Sequence, residues 1–310
     1  MAGGRCKEAP RHFSSKPEQL HAIISQTGRR RQVAPIEEAR PASRSRLRHV
    51  CLAYHCSLRG GNQLRMRIAI ISDIHGNLTA LDAVLTDLRR QKPDVIYHGG
   101  DLPYGGSNPA EVIDCIVHEG WQGMLGNTDE MLWDGSARPA LEASAPKLKP
   151  LFRVLFDLCG PVTRKMIGES RLEWLRALPL EVRHENVALM HASPGNLWRT
   201  PMDTADDAEL DGTYKQLNAE IVVYCHIHRP FIRKVGSMTV CNTGSVGSPY
   251  DGDPRASYLL IDEDKPAIRR VEYDIEKEAG RLLASDYPYK EWIAQMRRKG
   301  SYVPPPEERG

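Results

Sequence analysis

Five short stretches of this 310-residue chain carry side chains that can do chemistry together. In Ser72-Asp73-Ile74-His75-Gly76-Asn77 a carboxylate and an imidazole stand two residues apart. In extended backbone both would point to one side and could grip one metal ion. Gly99-Gly100-Asp101 sets a carboxylate behind two glycines, which let the backbone pass close to a ligand. Gly126-Asn127-Thr128-Asp129 offers an amide and another carboxylate, His191 follows the apolar run Val187-Ala188-Leu189-Met190, and His226-Ile227-His228 repeats the two-apart spacing. Each piece alone is ordinary. A histidine at a strand end is more often a hydrogen-bonded structural group, and Asp or Asn in a glycine-rich turn is common turn chemistry. The set is different, because five strand ends then offer oxygen or imidazole nitrogen in an order that can converge at one sheet edge. Mixed N and O donors without an obvious thiolate suit Mn, Fe, Zn, Co or Ni.

Those residues need elements to position them. Arg67 to Ser72 reads as a buried strand, Leu78 to Arg90 has helical apolar spacing, Asp94 to Tyr97 reads as a strand and Ala110 to His118 as a helix. Further short apolar runs lie at 123–125, 187–190, 221–224, 237–240 and 257–261. Strands alternating with helices predict an α/β body over 66–280, with the chemistry at the C-terminal strand ends, where open α/β sheets place their sites. Residues 130–180 read as a helical insertion, with amphipathic stretches at 151–158 and 171–178, and 281–310 as a C-terminal helix and tail.

Charge divides the chain. Residues 1–65 hold 13 Lys and Arg against 4 Asp and Glu, and the remainder 29 against 36, so a basic extension precedes a mildly acidic body. The body therefore has no global pull on nucleic acid. The extension is rich in Arg, Ser, Pro and Gly, and too little apolar surface offsets its ordering entropy. Only Pro17 to Gln26 suggests a short helix, and Cys51 and Cys56 with His49 and His55 have poor spacing for zinc. Three readings of the extension stay open: a segment foreign to the natural protein, which would start at Met66; a basic tail; or an Arg-rich transit peptide. No run reaches the roughly 18 apolar residues of a membrane helix. Seven scattered cysteines read as reduced thiols, which with the lack of a secretory signal points to the cytoplasm.

The five motifs in order resemble the calcineurin-like metallophosphoesterase superfamily, whose signature is Asp-x-His, Gly-Asp, Gly-Asn-x-Asp/Glu, His and Gly-His-x-His. The wording Ser-Asp-Ile-His-Gly-Asn-Leu, with Asn242 to Gly247 and Asp253 to Tyr258 downstream, resembles the bacterial branch that includes small phosphodiesterases and diadenosine-tetraphosphatase-like enzymes. The resemblance implies a four-layer sandwich of two mixed β-sheets flanked by helices, with a helical cap. It implies two divalent metals, manganese foremost: Asp73, His75 and His228 on one, Asn127, His191 and His226 on the other, and Asp101 bridging. Asp101, Asn127, Asp129 and His191 are then the catalytic residues, Asp129 orienting Asn127 or a water. Asn77, Thr128 and Arg255 are candidate contacts to a small phosphoester or nucleotide substrate. The implied reaction is in-line attack on phosphorus by a metal-bridging hydroxide.

Two departures bear on this. Thr128 stands where many members carry the histidine that acts near the leaving group, and a hydroxyl is no comparable acid near pH 7, which favours diesters over alkyl monoesters. Cys225 stands where the family has glycine, and reads as a strand-end residue in ordinary β geometry. Nucleotide-polyphosphate hydrolysis, Ser/Thr protein phosphatase activity and a non-catalytic scaffold are the alternatives. Trp133, Trp174 and Trp198 flank the site or the cap and are candidates to stack on a base or aryl group, core packing being the safer reading for Trp174.

Overall fold

The computed structural model describes residues 66–306. The basic extension, its candidate helix at 17–26 and the Cys51/Cys56 pair lie outside the described residues. The first strand, β1 (Ile68–Ile71), is buried on both faces, which is why its sequence is an unbroken apolar run rather than an alternation. Ile68 and Ile70 face inward to a second sheet, while Ala69 and Ile71 face outward to helices.

Around β1 the chain builds a five-stranded sheet in the order β10-β9-β1-β2-β3. Its other members are β2 (Val95–His98), β3 (Gln122–Gly123), β9 (Ala256–Asp262) and β10 (Lys265–Val271). β1, β2 and β3 run parallel, β9 runs antiparallel to β1, and β10 antiparallel to β9. The second sheet has the order β4-β5-β6-β8-β7, from β4 (Glu181–His184), β5 (Val187–Met190), β6 (Ile221–Tyr224), β7 (Phe231–Val235) and β8 (Met238–Asn242). Its centre, β5-β6-β8, is parallel and both edges are antiparallel. Between the sheets Ile70, Leu189, Val223, Cys241 and Leu259 form one core. Each such side chain removed from water contributes about 1.5–3 kcal/mol.

Helices cover the outer faces. α1 (Leu78–Gln91) lays Leu81, Val84, Leu85 and Leu88 on the first sheet beside α2 (Pro109–Glu119). α1 starts where the Asn77 side chain accepts from Ala80 N at 2.9 Å. After a single turn, α3 (Asn127–Glu130), the insertion runs through α4 (Arg138–Ser144), α5 (Lys149–Arg153), a π-helical segment Val154–Cys159 and α6 (Gly160–Arg176). α7 (Asp207–Tyr214) packs Leu210 and Tyr214 on the second sheet. α8 (Ile275–Leu283) and α9 (Lys290–Lys299) share an apolar cluster with the insertion, containing Val154, Leu282, Trp292 and Ile293. The four-layer α/β arrangement is the one the motifs imply.

Three strands have no counterpart among the apolar runs: β4, β7 and β10. All are edges of their sheets and carry charge, as in Arg233-Lys234 and Arg269-Arg270, and β10 holds Pro266. Charged and proline-bearing strands belong at edges, where one side meets water. Cys159, Cys225 and Cys241 are free and buried. Among the described residues no helix is long and apolar enough to cross a membrane.

Candidate metal centre

Loops leaving the C-terminal ends of β1, β2, β3, β5 and β6 bring the seven donor residues to one edge of the two sheets. The backbone is not extended there. Asp73, His75, Asp101, His226 and His228 all have positive φ, between 52° and 68°. The two-apart spacing thus works through two left-handed residues flanking one ordinary residue, and not through strand alternation. Such conformations are sparse for non-glycine residues, Asp and His being among the more tolerant, and they persist where surroundings fix them. Here β1's loop is tied down by Asp73 N donating to Gly100 O and His75 N donating to Asp101 O, both at 3.1 Å. Gly126 lets the third loop press on Asp101, whose side chain a Cβ there would overlap.

Donor atoms of Asp73, His75, Asp101 and His228, all buried, lie within 4.8 Å of one another. His75 turns Nδ1 to Tyr104 O at 2.8 Å, and His228 turns Nδ1 to Ser248 O at 2.5 Å. A carbonyl accepts only, so each neutral ring carries its proton on Nδ1 and leaves Nε2 bare. Those two Nε2 atoms stand 3.2 Å apart. Asp73 Oδ1 is buried and receives no hydrogen bond, although His228 Nε2 is 3.1 Å away. Ser72 Oγ donates to the other oxygen of Asp73 at 2.5 Å.

A second focus lies on the far side of Asp101. His191 is fixed by Nδ1 on Gly99 O at 2.7 Å, and its Nε2 meets Asn127 Oδ1 at 2.7 Å. His226 Nδ1 reaches the same Asn127 oxygen at 2.8 Å. Asp101 faces both foci: Oδ2 is 3.7 Å from His75 Nε2 and Oδ1 is 3.6 Å from His191 Nε2. Burial, with His228 alongside, pushes His75 down to about 4, against the pull of Asp101 and Asp73. Burial and His191 push His226 down to about 4 as well. Neutral rings are the state in which imidazole binds metal. Lone pairs facing lone pairs across two foci, around two carboxylates, form a donor set that fits divalent cations. The residues present therefore fit the metals that the motifs imply.

The other site candidates separate. Thr128 lines the cavity above the donors; its N–H donates to Asp101 Oδ1 at 2.9 Å and its buried Oγ1 has no partner. Asp129 points away from the cavity and ties backbone together, accepting from Asp101 N, Leu102 N and Gly126 N at 2.9–3.0 Å. It braces two donor loops rather than orienting the Asn127 side chain. Asn77 is buried as the cap of α1, its amide donating to Gly247 O at 3.1 Å. Arg255 lies exposed in a pair with Asp253 at 2.6 Å. Neither Asn77 nor Arg255 lines the cavity. Cys225 has no positive φ and is buried, its thiol pushed up by burial, as a packed strand-end residue should be. His98 turns from the donors to Trp174, with ring centroids 5.8 Å apart. Trp133 packs against the apolar cluster that α1 and α2 form on the first sheet, and of the three tryptophans singled out only Trp198 lines the cavity.

Several contributors carry no local signal in sequence. Tyr250 stacks on His228 at 4.4 Å between centroids. Arg297, from α9, donates to His75 O at 2.7 Å and Gly105 O at 3.0 Å, and pairs with Glu278 at 2.6 Å. Tyr250 lies three residues beyond the Asn242 to Gly247 motif, the one hint available; nothing near Arg297 marks it.

Comparison with known proteins gives the family. The family model for the calcineurin-like phosphoesterase superfamily domain matches residues 66–266. An uncharacterized protein of Methanocaldococcus jannaschii is 29% identical over 75% of this chain and 97% of its own length. The crystal structure of a metallophosphoesterase from Sphaerobacter thermophilus superposes with a TM-score of 0.61 at 25% identity, over 76% of this chain and all of that one. A symmetrical bis(5'-nucleosyl)-tetraphosphatase of Neisseria meningitidis is 32% identical over 133 residues, 42% of this chain and 44% of that protein. The chain thus spans less than half of that relative's length.

Proposed function

The chain belongs to the calcineurin-like phosphoesterase superfamily and is a phosphoric ester hydrolase, and from its donor set we propose that it is a binuclear, metal-dependent phosphodiesterase. The observation that carries this is the pair of electron-rich foci flanking Asp101. Asp73, His75 and His228 would hold one cation, Asn127, His191 and His226 the other, and the two oxygens of Asp101 would serve both. When bound, two divalent cations supply Lewis acidity towards phosphoryl oxygens and lower the pKa of water from 15.7 to about 7. The ligand carboxylates of Asp73 and Asp101 leave the pair of cations with surplus positive charge, suited to an anionic phosphoryl group.

The protein's part is placement. Carbonyls of Tyr104, Ser248 and Gly99 fix three ring tautomers, and the Thr128 N–H fixes one oxygen of Asp101. The leaving group finds no imidazole at position 128, and the Thr128 hydroxyl is no comparable general acid near neutral pH. Esters whose leaving groups depart readily, or diesters, suit such a site. Bis-p-nitrophenyl phosphate with Mn²⁺ is the test substrate. Asp101→Ala and His191→Ala should each abolish its hydrolysis, and unchanged turnover in both variants would refute the site. Nucleotide-polyphosphate hydrolysis is a second reading, favoured by the partial match to the Neisseria enzyme. Dinucleoside polyphosphates belong in the same panel.

A further inference from the structure

Above the donors lies a cavity of about 700 Å³, within the range of pockets that enclose a whole organic ligand. Its floor is the metal centre. Its walls come from the insertion and from α9, through Leu151, Phe152, Leu155, Ile293 and Met296. Most polar atoms of these walls are already engaged within the protein, the buried hydroxyls of Tyr104 and Thr128 near the floor being the exceptions. Trp198 Nε1 donates to Glu130 at 3.3 Å and Trp292 Nε1 to Val303 O at 2.8 Å. The Thr200 hydroxyl meets Tyr214 OH at 2.7 Å, and Ser144 Oγ donates to Leu141 O at 3.0 Å. The walls therefore present mainly carbon. Apart from the histidines, Arg199 is the one cationic residue among those lining the cavity. A run of phosphates would need more positive charge than that, and a base lying along the insertion and α9 would find few edge partners beyond the two hydroxyls near the floor. At the mouth Leu148, Met202 and Tyr302 are exposed, carrying the apolar lining out to the surface.

We propose that the substrate is an amphiphilic phosphodiester, with phosphorus at the metal centre and the long-chain apolar group of one ester lying along the insertion and α9. This rests on the phosphodiesterase reading above and names its substrate class. The hydrolysis is balanced by water alone: its oxygen bonds to phosphorus, the P–O bond to one alcohol breaks, and the proton goes to the departing oxygen or to solvent. Each buried methylene is worth about fourfold in affinity, so chain length is a sensitive readout.

The test uses the whole chain loaded with Mn²⁺ and p-nitrophenyl phosphodiesters of ethanol, butanol, octanol and dodecanol, each below its micelle concentration. The p-nitrophenyl ester of thymidine 5'-phosphate and bis-p-nitrophenyl phosphate complete the panel. We expect kcat/KM to rise at least 100-fold from ethyl to dodecyl, and the thymidine ester to stay near the ethyl value. Leu148→Glu and Met202→Glu, both at the exposed mouth, should cut the dodecyl-to-ethyl ratio at least tenfold. Calorimetry should show dodecyl phosphate binding at least 100-fold more tightly than ethyl phosphate, a readout independent of turnover. A flat chain-length series alongside active hydrolysis, or a tenfold preference for the thymidine ester, overturns the proposal alone. Absence of turnover on every ester in the panel overturns the phosphodiesterase reading and the proposal with it.

Discussion

The Nε2 atoms of His75 and His228 face each other across 3.2 Å, while the Nδ1 of each ring is turned to a backbone carbonyl. Two neutral rings so fixed repel through their lone pairs. A cation between such donors turns that repulsion into attraction.

Removing metal should therefore weaken the fold as well as the reaction. With Mn²⁺ at about 100 times its dissociation constant, linkage adds about 2.7 kcal/mol. For a body of this size that is about 5–10 °C in Tm. Differential scanning fluorimetry after EDTA dialysis, with and without Mn²⁺ returned, measures it. Equal melting temperatures in the two states would count against a metal centre at these residues.

Thr128→His should give the site a proton donor near the leaving group. General acid catalysis typically contributes 10²–10⁴-fold. Hydrolysis of an alkyl phosphate monoester should rise by about 10²-fold, with less change on bis-p-nitrophenyl phosphate, whose leaving group needs no proton. Steady-state kcat/KM on both substrates decides it. A variant with intact metal content and an unchanged ratio would show that position 128 does not set the ester preference.

Arg297 and Glu278 form a pair with relative exposures of 1% and 0%. Arg297→Met strands a buried carboxylate and removes two hydrogen bonds from the loops carrying His75 and Gly105. It should cost about 3–5 kcal/mol in urea unfolding and weaken metal binding, whereas Arg297→Met with Glu278→Leu should recover much of the stability. A loss under about 1 kcal/mol in the single variant would mean that the pair does not brace the site.

Metal-free protein should lose stability as pH falls from about 6.5 towards 4. Burial holds His75 and His226 down to about 4 and His98 down to about 3. In this window the unfolded chain takes up protons at these rings and the folded chain does not, so unfolding is favoured as pH falls. His191 is raised, burial being outweighed by Asp101 and other neighbours, so its effect falls above about pH 6.5 and outside this window; Asp129, pushed up to about 7 by burial and by Asp101, works in the opposite sense as one carboxyl against three rings. Chemical denaturation at pH 7, 6, 5 and 4 in EDTA gives the trend; stability constant or rising across that series would contradict it.

The donors were legible because their chemistry resides in residue type and order: Asp73 with His75, Asp101 behind two glycines, and His226 with His228 stand at strand ends whatever the backbone does between them. Their geometry was not, since left-handed φ at Asp73 and His75 is imposed by hydrogen bonds from the neighbouring loop. The central strands were legible because β1, β5 and β6 are buried apolar runs. Edge strands such as β7 and β10 were not, because charge on their open side hides the alternation. Asp129 read as a site carboxylate, yet it serves the backbone of Asp101 and Leu102. Trp292, Ile293 and Arg297 reach the cavity from a helix far along the chain, and no local pattern announces that tertiary approach.

Metal stoichiometry tests the binuclear centre most directly. The chain reconstituted with Mn²⁺, passed through a desalting column and analysed by inductively coupled plasma mass spectrometry, should hold two ions per chain. His191→Ala should hold one. One ion or fewer in the unsubstituted chain, with the fold intact by circular dichroism, would contradict the account.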